Sequence, residues 1–165
     1  MSVHEVSYEE VMTTTLETFH LAGYATRITP AKAAEQLAQA WQHLLTHPLT
    51  VSPLDADPHL YAAYTQYESD FRAPYTFVLG VRVAASTPAA GLELVTVPTG
   101  PFEQFIAEGL PQQALWRTWS EVWARWPAES VGRRYAVDFE RYTPAALGAL
   151  ATAQPTRVDV FVGLR

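Results

Sequence analysis

Hydrophobic and polar positions along this chain switch between strand-like and helix-like spacing, and the switches outline its elements. A strand is predicted over residues 17–28, with Gly23 as a candidate bulge where the chain bends. Thr29 and Pro30 then predict a helix start, because threonine can cap free amides and proline at the first helical position gives up no hydrogen bond. Ala34, Leu37, Ala38, Trp41, Leu44 and Leu45 fall on one face of that helix, which His47 and Pro48 end. A proline-bearing loop leads to an aromatic strand over residues 60–67, a turn, and a second hairpin arm over 75–84.

The order then repeats. A short strand over 92–97 is broken by Pro98 to Pro101, and a further strand runs over 102–107. Pro111 opens a second helix whose apolar face carries Leu115, Trp116, Trp119, Val122, Trp123 and Trp126, and Pro127 stops it. Strands over 134–142 and 157–164 follow, separated by a connection rich in proline and alanine. Residues 17–84 and 102–164 therefore share one pattern of strand, helix, strand, strand. The expected fold class is α+β: a single domain with an antiparallel sheet, two helices on one face, and a ligand groove between the halves. Residues 1–15 read as an N-terminal tail or an edge element.

Composition narrows the function classes. The chain has 165 residues and no cysteine, which rules out disulfides and thiolate metal sites. Its net charge of −6 disfavours direct contact with nucleic acid. No apolar run approaches the length of a membrane span, and no signal-peptide pattern opens the sequence, so a cytoplasmic location is expected. His43 and His47 stand four apart on the first helix without a third ligand, so no metal and no other cofactor is expected. Nucleophile elbows, phosphate-cradling loops and dinucleotide fingerprints are all missing.

What remains is an aromatic and acidic constellation. Trp116, Trp119 and Trp123 form a stripe at helical spacing, which is ordinary core unless one indole is left open to stack on planar or cationic rings. Glu68 and Glu140 each sit beside tyrosines and phenylalanines, in corresponding positions of the two halves. Alternation places Asp138, Glu140 and Tyr142 on one strand face. The plain reading of that acidic face is that water covers it. The sharper reading sets Glu140 at the floor of the groove, where a buried charge calls for a cationic ligand.

Taken in order, Tyr61, Tyr64, Tyr67, Glu68 and Asp70, then Tyr75 and Gly80, Val97 to Gly100, Trp116 and Trp119, and Asp138 to Tyr142 resemble the GyrI-like small-molecule-binding family. That family supplies the effector-binding domains of AraC-type and MerR-type bacterial regulators, and some members stand alone on mobile cassettes. The resemblance implies a duplicated fold whose groove holds lipophilic cationic compounds against Glu140, with Trp116, Trp119 and Tyr142 as walls. The aromatic content around the groove adds Trp123, Tyr64, Tyr75 and Phe105 as candidate lining, and Glu68 as a second acid. The residues ahead of the first strand are too few for a helix-turn-helix, so any regulatory role is expected to run through a partner protein. Two alternatives stay open: a hydrolase of electrophilic, cyclopropane-bearing compounds using Glu68 or Glu140 as base, and an inhibitor acting through an edge strand.

Overall fold

The computed structural model describes residues 12–86 and 91–165. Eight strands form one antiparallel sheet: β1 (Met12–Leu16), β2 (Phe19–Ile28), β3 (Leu60–Thr65), β4 (Tyr75–Val83), β5 (Glu93–Val97), β6 (Gly100–Gly109), β7 (Val137–Tyr142) and β8 (Thr156–Gly163). Three α-helices accompany them among the described residues: α1 (Ala33–Thr46), α2 (Pro111–Arg125) and α3 (Pro144–Thr152).

The strand order, β1-β6-β8-β7-β3-β4-β2-β5, reads as a palindrome of roles about its centre. The duplicated pattern is thus a pseudo-twofold arrangement in which β3 and β7, the second strands of each half, pair from Leu60↔Tyr142 to Thr65↔Val137. Only Glu17 and Thr18 separate β1 from β2, although β1 is at one edge of the sheet and β2 is next to the other. Across a flat sheet that step would be roughly 29 Å, six strand spacings of about 4.8 Å, whereas three Cα steps reach about 11 Å. The sheet therefore curls until its edges meet. The pairs Leu16↔Gly100 and Phe19↔Val97 keep one register across the joint. Thr99 fastens it, donating from its amide to Thr18 Oγ1 at 3.0 Å and from its hydroxyl to the Leu16 carbonyl at 2.9 Å.

Curling gives the sheet two apolar faces. Leu60, Ala62, Phe77, Leu79, Val158, Val160 and Val162 pack beneath the helices with Ala114, Val122 and Trp126. Leu21, Tyr61, Ala63, Val78, Phe102, Val137, Phe139 and Phe161 fill the concave interior. In β8, Val158, Val160 and Val162 point to the helices and Phe161 to the interior.

Several expectations are corrected. Of the two readings of the N-terminal stretch, residues 12–16 take the edge element, as strand β1, while residues 1–11 lie outside the described part. Gly23 is no bulge. It pairs directly with Gly80, and a Cβ on it would stand 2.1 Å from the Leu79 carbonyl oxygen, so glycine is required by the close approach of β2 and β4. Thr29 does not cap with its own hydroxyl; the Gln36 side chain returns to accept from the Thr29 amide at 2.8 Å, after a 3-10 turn over Pro30–Lys32. The buried stripe of α1 is Ala33, Leu37, Ala40, Trp41 and Leu44, leaving Ala34, Ala38 and Leu45 exposed. The connection after β7 is helix α3, where Thr143 caps by accepting from the Ala146 amide at 3.1 Å.

Candidate functional site

Because strand side chains alternate, Glu140 and Tyr142 rise from β7 toward the helices, joined by Tyr64 from neighbouring β3. The residue opposite Glu140 is the small Ala62, which leaves room for Tyr64, one diagonal step away, to reach the carboxylate. Trp119 descends from α2, which starts at Pro111 and buries Ala114, Thr118 and Val122 along the same side. Tyr64 Oη and Trp119 Nε1 both donate to Glu140 Oε2 at 2.8 Å, and Tyr142 Oη donates to Oε1 at 2.6 Å. The residue is only 4% exposed. Three of the roughly four acceptor sites of the carboxylate are thus filled, all by neutral donors.

Burial drives the Glu140 carboxyl pKa up, against the lowering effect of the bonds from Tyr142, Trp119 and Tyr64. The Tyr75 phenol is pushed up to about 12, first by burial and then by the Glu140 charge. Tyr75 packs against Tyr64, their ring centres 5.6 Å apart, and Trp119 stacks obliquely on Tyr64 at 5.1 Å. Trp41 of α1 meets Tyr142 edge-on at 5.2 Å, so both helices reach the cluster.

The other acids are neutralised differently. Asp138, expected to be wetted, is fully buried and accepts from Arg133 at 2.6 Å, from Tyr67 at 2.6 Å and from the Gly163 amide at 2.8 Å. Glu103 is buried against Arg125, and Asp70 holds Arg72 at 2.9 Å. Among the described residues, Glu140 alone of the four buried carboxylates has no arginine partner.

Of the candidate residues, Glu140, Tyr64, Trp119, Tyr142 and Tyr75 therefore come together. Trp123 lies one turn beyond Trp119, stacked on Phe71 at 5.7 Å and met edge-on by Trp116 at 5.6 Å. Trp116 is 66% exposed, an open indole at the margin. Phe105 packs instead on Trp126, 6.1 Å between centres. Glu68 stands past the end of β3 in an exposed ion pair with Arg27 at 3.3 Å, away from the groove strands on which its position was expected. Trp41 and Phe71 were missed as neighbours of the site because their contacts cross between elements far apart in sequence. A cavity of about 390 Å³ lies elsewhere, beside β2 and α1, with Thr26, Gln39, His43 and Glu93 among its walls. None of those polar walls is buried, whereas at Glu140 aromatic rings close over a buried acid.

The sequence pattern of the integron-associated effector binding proteins, Cass2, matches residues 13–163. The chain belongs to that family. Cass2 proteins are effector-binding proteins, and this family member shares its curled fold with solved structures. The integron cassette protein VCH_CASS2 from the mobile metagenome of Vibrio cholerae is 21% identical, with TM-score 0.74 over 94% of this chain and 95% of that one. SAV2435, solved bound to tetraphenylphosphonium, is 16% identical, with TM-score 0.74 over 94% of each chain. The C-terminal domain of EcmrR is 8% identical, with TM-score 0.59 over 94% of this chain and 97% of that one. No curated protein matches this Cass2 member in sequence.

Proposed function

We propose that this effector-binding domain binds lipophilic, aromatic cations at Glu140. The observation that carries the reading is the buried carboxylate held by neutral donors only, while the three other buried acids among the described residues each have an arginine. A desolvated carboxylate without a counter-charge is costly, and a cation entering beside it supplies the missing charge. Tyr64, Tyr75, Trp119 and Tyr142 offer π faces that attract the same ligand. Trp116, Trp123 and Phe71 extend an aromatic path from the surface toward them. Entry requires the Trp119 indole to swing from Glu140, exchanging one neutral hydrogen bond for an ionic contact. The tetraphenylphosphonium complex of the structurally similar SAV2435 supports this ligand class.

Tryptophan fluorescence titrated with tetraphenylphosphonium and with a size-matched neutral compound tests the reading. Saturable quenching by the cation, weakened at least tenfold in Glu140→Gln, is expected. Equal response to both compounds, or an unchanged affinity in the variant, would sink it. Chromatography of the titrated ligand shows the same compound recovered intact if the site binds and does not turn over.

A further inference from the structure

Arg141 follows Glu140 on β7 and, by strand alternation, points the opposite way, into the concave interior of the sheet. There Arg141, Tyr61 on β3 and Arg82 on β4 stand on three adjacent strands, Tyr61 directly opposite Arg141. Together with Phe139 and with Leu16, Glu17 and Phe19 of the β1–β2 joint, they enclose a cavity of about 230 Å³. It lies across the sheet from the helices, separate from the Glu140 cluster.

Its walls combine apolar rings with excess positive charge. Leu16, Phe19 and Phe139 provide the apolar surface, and the single acid among the lining residues, Glu17, is exposed. Arg141 donates to Asp159 at 3.1 Å, but Asp159 is shared with Arg157 at 2.9 Å, which leaves that trio with one unmatched positive charge. Arg82 has no acidic partner among the described residues; its guanidinium lies 5.4 Å from the centre of the Phe19 ring. Its Nε is buried with no hydrogen-bond acceptor. An unpaired buried donor carries a desolvation penalty that an incoming acceptor relieves. At Tyr61, burial and then Asp57 raise the hydroxyl pKa, while Arg141 and Arg82 both act against them, so both positive charges bear on the same point.

A guanidinium presents a planar fork of donors that matches a carboxylate. We propose that this cavity is a second ligand site, which takes a small organic carboxylate with a flat apolar body. Its head group lies on Arg82 and Arg141, and its body against Phe19 and Phe139. The two sides of β7 would then recognise ligands of opposite charge through consecutive residues.

The probe is 4-fluorobenzoate, followed by fluorine NMR line broadening with the intact chain, with neutral 4-fluorobenzamide and inorganic phosphate as comparators. Saturable broadening by the benzoate is expected, at least tenfold weaker in Arg82→Gln and unchanged in Glu140→Gln, with little response to the benzamide. Arg82→Lys, which keeps charge and bulk but not the fork, should weaken binding several-fold, and it decides the matter if the glutamine variant fails to fold. Absence of saturation, equal binding of the benzamide, or full affinity in the Arg82 variants would overturn the site. Displacement by phosphate at equal concentration would overturn the role of the apolar body.

Discussion

Trp119 Nε1 and Glu140 Oε2 are 2.8 Å apart, a bond that joins the middle of α2 to the central strand β7. It is a tie between layers and, in the function proposed above, the contact that an entering cation replaces. Trp119→Phe keeps the ring but removes the donor. The variant should lose about 1–3 kcal/mol of stability, the usual cost of leaving a buried acceptor short, measured by urea unfolding. It should also bind tetraphenylphosphonium in a more alkaline range, because one of the bonds that lower the Glu140 pKa is gone. An unchanged pH profile would show that the indole does not act on the carboxylate.

Burial raises the Glu140 pKa in the folded chain above its unfolded value. Binding of a permanent cation favours the ionised form, so affinity should climb as pH rises from about 4 through the raised pKa and then level off. In Glu140→Gln the profile should be flat over the same range. Isothermal titration in buffers of different ionisation enthalpy should show proton release on binding at the acidic end.

The same shift fixes the sign of a stability effect. The folded chain holds this proton more tightly than the unfolded one, so the group's contribution is complete at low pH and is lost as pH rises through the folded pKa. Glu140→Gln removes that loss. Its stability relative to the parent should therefore improve as pH rises above the ordinary carboxylate range, as read from paired denaturant curves.

Arg133 and Asp138 are both buried, and their ion pair is the polar anchor beneath the loop before β7. Removing one partner strands the other, so Arg133→Met or Asp138→Asn should cost about 3–5 kcal/mol. The double replacement should cost less than the sum of the two, which a double-mutant cycle of melting curves would show.

Gly23→Ala should destabilise more than an ordinary core enlargement, at or above about 3 kcal/mol, because the added methyl meets the Leu79 carbonyl and the Gly80 backbone rather than a movable side chain. Wild-type stability in this variant would mean that β2 and β4 can separate.

The amino-acid order determined the alternation of strands and helices, because periodicity and proline-led starts are local signals: β2, α1, β4, α2 and β7 all fall where residue spacing places them. It also marked the Glu140 neighbourhood, since an acid among tyrosines is visible as letters. Helix α3 was hidden because its alanines and leucines form no polar face, although Thr143 and Pro144 repeat the opening seen at Thr29 and Pro30. Which acids are neutralised was not legible. Asp138 and Glu140 stand two apart on one strand face, yet Arg133 reaches the first and only neutral donors reach the second. Glu68 looked equivalent to Glu140 in the repeat, but β3 ends at Thr65 and Gln66 turns the chain with a positive φ of 50°, sending Glu68 out to Arg27. Only the curling of the sheet brought Glu17 and Phe19 over Arg82 and Arg141, because closure depends on pairings between residues about eighty positions apart. Local sequence sets which face a side chain presents, and tertiary pairing alone sets which charges face each other there.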